Sequence, residues 1–264
     1  MKKKAEFQVK FKLEPIIRML SITIIVLLII VFIYVTLRTF SYYETLIKDS
    51  SWILAYLVHI PQFVIPFLLI NYISKGGLRE YGFNYQEKPP FTHKRVLGIG
   101  IFFGLLMSLE YIFQFVENAP LDISYLITFV NVLGNMTFQW IFVGLSEETM
   151  FRGLIQTYLM KNLHGYVKIL GHDLHIGTII GAIFWGGFHF INILYLPLEN
   201  VIFFVILTTS IGLLMGYAYQ TTGSLLTTIL IHNTIFGVPL TIGYILYGYS
   251  DYNIIKLKDR ALKG

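Results

Sequence analysis

The sequence has no cysteine among its 264 residues, and only 13% of those residues are charged. The absence of cysteine excludes disulfides, thiolate catalysis and cysteine-based zinc sites. A soluble domain carries about 25% charged residues, so a chain with so few charges is not an ordinary soluble domain. What the chain has instead is 55% hydrophobic residues and a mean hydropathy of +0.66. This composition indicates an integral membrane protein whose surroundings are the lipid bilayer.

The net charge of +5 is modest, and the basic residues cluster at predicted helix ends and at the termini. Topology rules for membrane proteins explain that placement, so no nucleic-acid partner is expected. Lys2, Lys3 and Lys4 resemble the start of a signal peptide, but the apolar run that follows is too long for one and lacks a small-residue cleavage site. We therefore expect a retained first helix with a cytosolic N-terminus. The abundance of Ile, Lys, Tyr and Asn suggests an AT-rich bacterial genome. Together with the apolar composition, this predicts a multi-pass protein of a bacterial cell membrane.

Long apolar runs predict an all-α fold, a polytopic bundle of transmembrane helices with seven clear spans. The spans are expected at about 16–39, 52–73, 96–116, 125–160, 176–196, 201–220 and from 225 onward. Gly237 and Pro239 are expected to break the last span, which leaves room for a short eighth span after Pro239. We divide the chain into three N-terminal helices (1–124), a catalytic core of helices (125–250) and a basic C-terminal tail (251–264).

Two adjacent carboxylates, Glu147 and Glu148, stand at the end of the apolar run 125–145. Charges within or near hydrocarbon are costly, and they mark functional sites. On an α-helix Glu148 and Arg152 are four residues apart and share a face, so they can form an ion pair. Glu147 lies about 100° round the helix, and no basic residue falls within one turn on its face. The pattern predicts one carboxylate held structurally and a second available for chemistry.

Two histidines are expected at a similar depth in later spans. His189 has Trp185 one turn before it and Asn192 nearly one turn after it, and His232 lies in the last span. Two carboxylates and two imidazoles permit two kinds of chemistry. They can bind a divalent metal that lowers the pKa of a bound water. Alternatively, Glu147 can act as a general base on water while the imidazoles stabilise an oxyanion.

Three motifs follow one another along the predicted core helices. They are Glu147-Glu148-x-x-x-Arg152, then Trp185-x-x-x-His189, then Gly223-Ser224-Leu225-Leu226 followed by His232. Together they resemble the CPBP family, which comprises CAAX prenyl proteases and bacteriocin-processing or immunity proteins, also called abortive-infection proteins. The resemblance covers about residues 144–236 and implies a four-helix core.

The resemblance implies that Glu147 activates water, that Glu148 supports it and that Arg152 holds the helix that carries both. It also implies that His189 and His232 either bind a metal or stabilise the oxyanion. The metal would be zinc, with Glu147, His189 and His232 as its ligands. A metal-free mechanism with a glutamate and two histidines uses the same residues.

The chain departs from the family pattern at two positions. Trp185 and Asn192 are expected to support His189, yet the family usually has Phe at the position of Trp185, which is a mild change. The family usually has Asn or Asp four residues after the second histidine, where this chain has Phe236. Asn233 is expected to face another way on the helix and to be a poor substitute.

The motifs and the resemblance predict an intramembrane endopeptidase that hydrolyses peptide bonds of small peptides or membrane-protein segments, such as a bacteriocin or pheromone precursor. The alternative is a non-catalytic immunity or scaffold protein of the same fold that binds a bacteriocin or another partner, which Phe236 favours. A third hypothesis is a proton- or ion-coupled transporter in which Glu110 and Glu147 form a relay with the histidines. The lack of internal repeats argues against the transporter.

Overall fold

The computed structural model describes residues 13–39, 42–85, 93–117, 119, 127–194 and 196–261. It confirms an all-α polytopic fold. Six helices in this described part are long and apolar enough to cross a membrane. They are Leu13–Leu37, Trp52–Ile73, Lys94–Val116, Ile176–Leu194, Leu198–Thr222 and Leu225–Tyr249. The predicted count of seven is one too high, because the expected span at 125–160 is not a single regular helix.

The α-helices of the described residues are α1 (Leu13–Thr39), α2 (Tyr42–Ile73), α3 (His93–Met107), α4 (Leu109–Val116), α5 (Phe129–Thr137), α6 (Val143–Glu148), α7 (Thr157–Asn162), α8 (Ile176–Phe188), α9 (Leu198–Thr222) and α10 (Leu225–Ala261). Two 3-10 helices, Leu78–Tyr81 and His189–Leu194, and two π-helical segments, Phe138–Phe142 and Thr149–Gln156, lie between them. The strands β1 (Tyr166–Ile169) and β2 (His172–His175) form one antiparallel hairpin.

The chain divides into two compact units. The first unit contains the described residues within 1–35, 58–91 and 145–229. It holds the Glu pair, the β-hairpin, α8 and α9. The second unit contains the described residues within 36–57, 92–144 and 230–264, and it holds α3, α4, α5 and most of α10.

The predicted fourth span is a helix of changing pitch. The segments Phe138–Phe142 and Thr149–Gln156 place π-turns on both sides of α6. A π-turn bonds backbone groups five residues apart, so some N–H and C=O groups lose their usual partners where it meets an α-helix. Asn233 bonds two such groups: its Oδ1 accepts from Gly144 N at 2.8 Å, and its Nδ2 donates to Ile141 O at 3.2 Å.

The last predicted span continues without the expected break. Gly237 and Pro239 lie inside α10, which extends to Ala261, so the break and the short eighth span are wrong for the described residues. Gly237 is instead a packing position, because a Cβ there would lie 2.5 Å from Trp140 Cε2. A proline removes one backbone hydrogen bond, and membrane helices tolerate that loss where neighbouring groups compensate.

Two adjacent glycines of α8 have different surroundings. Gly186 is buried, and a Cβ there would lie 2.9 Å from both Thr209 Cβ and Val205 O of α9. Gly187 is exposed, and a Cβ there would meet no atom within 4 Å. Small residues allow membrane helices to approach closely. Gly186, and not Gly187, allows α8 to approach α9 in this way.

We predict that Gly186→Ala lowers the free energy of unfolding by about 1–3 kcal/mol, because the added methyl group collides with α9. Gly187→Ala is the matched control, and it should be neutral or slightly stabilising because Ala has the higher helix propensity. Thermal unfolding of both purified variants in one detergent measures the difference. Equal melting temperatures for the two variants would contradict the packing assigned to Gly186.

The β-hairpin ends at a histidine that caps the next helix. His175 is the N-cap of α8, and its Nδ1 accepts a hydrogen bond from Gly177 N at 2.9 Å. Only an unprotonated ring nitrogen can accept this bond. Burial lowers the pKa of His175, the nearby His164 lowers it further, and a hydrogen bond to the backbone of Leu163 partly opposes both effects.

Folding therefore favours the neutral form of His175, and its contribution to stability is complete above the unfolded pKa of about 6.5. The contribution is lost as the pH falls through the lower folded pKa. We predict that acidification from about pH 7 to pH 5 lowers the melting temperature less in His175→Asn than in the wild type, since Asn caps helices without titrating. Parallel melting curves for the two proteins across this range would contradict the prediction.

Candidate active site

An ion pair between Glu148 and Arg152 lies in the interior of the first unit. Arg152 Nη1 donates to Glu148 Oε1 at 3.0 Å, and the two side chains are only 2% and 0% exposed. Arg152 Nη2 also donates to the carbonyl oxygen of Gly212 in α9 at 3.3 Å. The pairing predicted from the four-residue spacing is confirmed, although Arg152 lies in a π-helical segment.

Glu147 has a different partner, the indole of Trp185 in α8. Trp185 Nε1 donates to Glu147 Oε2 at 2.6 Å. Glu147 is 8% exposed, whereas the adjacent Glu148 is 0% exposed. Of the two residues, Glu147 is therefore the less completely buried, and the donor in its bond to Trp185 is neutral.

Trp185 is completely buried. Its indole contacts both Glu147 and Arg152, which is the partner of Glu148. The guanidinium carbon of Arg152 lies 4.7 Å from the centre of the indole ring, within cation–π distance. Gly212 leaves room for the indole, because a Cβ there would lie 2.9 Å from Trp185 Cε3. The family's usual Phe has an aromatic ring but no N–H donor. The change from Phe to Trp is thus larger than the mild change expected from the sequence, because it adds a hydrogen bond to Glu147.

His189 lies within the span Ile176–Leu194, as predicted, at the point where α8 ends and the helix changes pitch. Its backbone N–H bonds to Gly186 O, three residues back, which is the pattern of the 3-10 helix that begins at His189. Gly186 and Gly187 precede this change of pitch, and glycine has a low helix propensity. The sequence did not show the change because apolar residues continue through it.

The tautomer of His189 follows from its hydrogen bond. Its Nδ1 lies 2.8 Å from the carbonyl oxygen of Trp185. A carbonyl only accepts, so Nδ1 carries a proton. The ring packs edge-on against Trp185 and Phe204, with centroid distances of 5.3 and 5.4 Å.

Asn192 lies in the same 3-10 helix as His189 and is half-buried. Its carbonyl oxygen accepts from Leu196 N at 2.8 Å, which closes the turn after the helix. The support for His189 that was expected of its side chain stays a prediction.

His232 belongs to the second unit. It is buried, and its ring centre lies 5.0 Å from that of Phe236. Asn233 directs its amide to Gly144 and Ile141, so it does not replace the Asn or Asp that the family usually has at position 236. An apolar ring thus contacts His232 where the resemblance implies a hydrogen-bonding group.

Sequence reasoning missed one polar contact beside the Glu pair. His59 of α2 lies with Nδ1 2.9 Å from Ser146 Oγ, and Ser146 directly precedes Glu147. The only signal in the sequence was a lone histidine within an apolar span. Such a residue alone is as compatible with helix packing as with function, so the sequence does not single out His59.

Zinc sites in proteins need three or four ligands within bonding distance of one point. Within the ranges that the structure describes, no three His, Asp or Glu side chains form a group that could hold a metal ion. In addition, Glu147 Oε2 already accepts a hydrogen bond from Trp185. Zinc therefore stays a prediction from the resemblance, and no step below depends on it.

We predict that Arg152→Met lowers the free energy of unfolding by about 3–5 kcal/mol, because it leaves the Glu148 carboxylate buried without its cation. The double variant Glu148→Gln/Arg152→Met should recover part of this loss, since neither charge remains. Melting temperatures in detergent, with the yield of monodisperse protein, measure both effects. A single Arg152→Met variant as stable as the wild type would contradict a structural role for the pair.

Comparison with known proteins supports the same core. Residues 129–236 match the family model described as Type II CAAX prenyl endopeptidase Rce1-like. The matched stretch includes the candidate residues Glu147, Glu148, Arg152, Trp185, His189, Asn192 and His232. Neither the curated proteins nor the solved structures gave a match. The family match confirms that the chain resembles the CPBP intramembrane proteases over this core.

Proposed function

We propose that the protein is an intramembrane endopeptidase in which Glu147 activates the attacking water. The substrate is a small peptide or a segment of a membrane protein, reached from the cytosolic side. The match of residues 129–236 to an endopeptidase family supports the reaction class. The six apolar helices of the described residues support action at or within the membrane.

The observation that carries the proposal is the different environment of two adjacent carboxylates. Glu148 is fully buried and bonded to the charged Arg152. Glu147 is bonded to the neutral indole of Trp185 and keeps a small exposed surface. Enzymes assign separate roles to neighbouring carboxylates through such differences. Glu147 is therefore the carboxylate suited to accept a proton from water, and Glu148 is the structural one.

In the proposed reaction, Glu147 accepts a proton from water while the water oxygen bonds to the peptide carbonyl carbon. The carbonyl π electrons move to the oxygen, which becomes an oxyanion. When the tetrahedral intermediate collapses, the C–N bond breaks and Glu147 returns the proton to the leaving amine. The roles of the two histidines stay what the resemblance implies, stabilisation of the oxyanion among them.

Glu147→Gln is predicted to reduce peptide products to about 1% of the wild-type level or less, because a general base contributes about 10²–10⁴-fold. Quantitative mass spectrometry of membrane and secreted peptides measures this effect in cells that make each protein at the same level. Uncut precursors should accumulate in the variant, and they identify the substrate.

Glu110→Gln is the matched control for this experiment. Glu110 is an exposed carboxylate on α4 in the second unit, so its neutralisation should leave the products unchanged. Identical peptides from wild type and Glu147→Gln would refute Glu147 as the base. Loss of products in Glu110→Gln as well would favour a charge effect on expression or insertion.

A non-catalytic immunity or scaffold protein is the second candidate, and one observation favours it. Phe236 contacts His232 at the position where the family usually has a hydrogen-bonding residue. A protein that only binds a bacteriocin or another partner needs no base. In that case Glu147→Gln rescues the phenotype of a deletion strain as well as the wild type does, and the peptides of the two strains match.

A further inference from the structure

We infer that Trp185 is a positioning residue, whose indole N–H holds the Glu147 carboxylate in the orientation from which it activates water. This inference deepens the proposed function and rests on it. It assigns a role in the reaction to a side chain that sequence reasoning regarded only as structural support. The chemistry involved is a hydrogen bond from a neutral donor to a catalytic carboxylate.

The bond between the two side chains is short and shielded. The distance from Trp185 Nε1 to Glu147 Oε2 is 2.6 Å, and Trp185 has no exposed surface. Hydrogen bonds to ionised groups are shorter and stronger than neutral ones. A buried indole N–H cannot exchange this acceptor for bulk water, so loss of the bond would leave a buried donor unsatisfied.

The indole is itself held from two sides. The Arg152 guanidinium lies against its ring face at 4.7 Å, and His189 packs edge-on against it at 5.3 Å. Arg152 is fixed in turn by Glu148 and by the carbonyl oxygen of Gly212. The orientation of the N–H bond is therefore set before substrate arrives, which is the requirement for precise placement of a catalytic group.

Trp185 also separates the two carboxylates chemically. It lies against Arg152 while it donates to Glu147, so its ring faces the cation that pairs with Glu148. The hydrogen bond that orients Glu147 thus comes from a neutral donor, and the indole N–H fixes one carboxylate oxygen without adding a positive charge of its own.

A positioning role predicts an effect on the chemical step. Replacement of the indole N–H should lower kcat about tenfold to a hundredfold, as loss of hydrogen bonds that orient catalytic groups does. KM should change less than threefold, because Trp185 is buried and is not assigned to substrate binding. A purely structural role would instead lower the fraction of folded protein and leave kcat per folded molecule unchanged.

The first experiment tests the bond without any need for activity. The purified protein is labelled with ¹⁵N at the indole nitrogens, and the signal of Trp185 is assigned by its loss in Trp185→Phe. Glu147→Gln replaces a charged acceptor by a neutral one of the same shape, so the Trp185 indole resonance should shift. Glu110→Gln should leave it in place. An indole resonance that is identical in the wild type and Glu147→Gln overturns the inference.

The second experiment removes only the N–H. Incorporation of 3-benzothienylalanine at position 185 keeps the size and the aromatic face that contacts Arg152 but replaces the N–H by sulfur. The same substitution at Trp140, whose Nε1 donates to Thr241 Oγ1 at 3.1 Å in the second unit, is the matched control. The substrate is the peptide precursor that accumulates in Glu147→Gln cells, and kcat is expressed per folded molecule.

A loss of kcat at position 185 with little change at position 140 supports the inference. An unchanged kcat at position 185 overturns it while the endopeptidase activity stands. If the wild-type protein cleaves no substrate, the proposed function is overturned, and the positioning role of Trp185 in that reaction is overturned with it. The indole resonance then still reports whether the bond exists, so the two failures are distinguishable.

Discussion

The buried charge of Arg152 is the constraint on which the first unit depends. Moving an ion from water into a protein interior costs several kcal/mol even after relaxation, so the charge must be matched by nearby partners. The partners of Arg152 include the Glu148 carboxylate, the Gly212 carbonyl oxygen and the face of Trp185. These groups come from three parts of the chain. The relative placement of α6, α8 and α9 is therefore tied to one guanidinium.

The same constraint gives two neighbouring residues of identical type different properties. Glu148 is the ion-pair partner of the buried Arg152, and its loss would leave that cation without its carboxylate. Glu147 instead accepts its hydrogen bond from the neutral indole of Trp185. The asymmetry arises from packing of α8 against the Glu-bearing helix. Residue type alone would make the two glutamates equivalent.

The sequence was sufficient wherever one local rule dominated. Apolar runs predicted six of the spans that the structure describes, and the spacing of Glu148 and Arg152 predicted their ion pair. It was insufficient where distant groups decide local geometry. The π-turn at Phe138–Phe142 is satisfied by Asn233, which no local pattern connects to it. The bond between Trp185 and Glu147 joins residues 38 positions apart, so the sequence showed an aromatic residue but not its acceptor.

The π-helical segment Thr149–Gln156 makes the number of residues between two anchor points as important as their identity. At its end, Gln156 is fixed by Thr178 Oγ1 at 3.0 Å and by Gly216 O at 2.8 Å. A π-turn holds about one residue more than an α-turn, so loss of one residue from the segment can be absorbed by a return to α-helical pitch, whereas an added residue would turn Glu147 relative to that anchor. The segment thus tolerates loss of a residue better than gain of one, and an insertion that touches neither carboxylate would displace both.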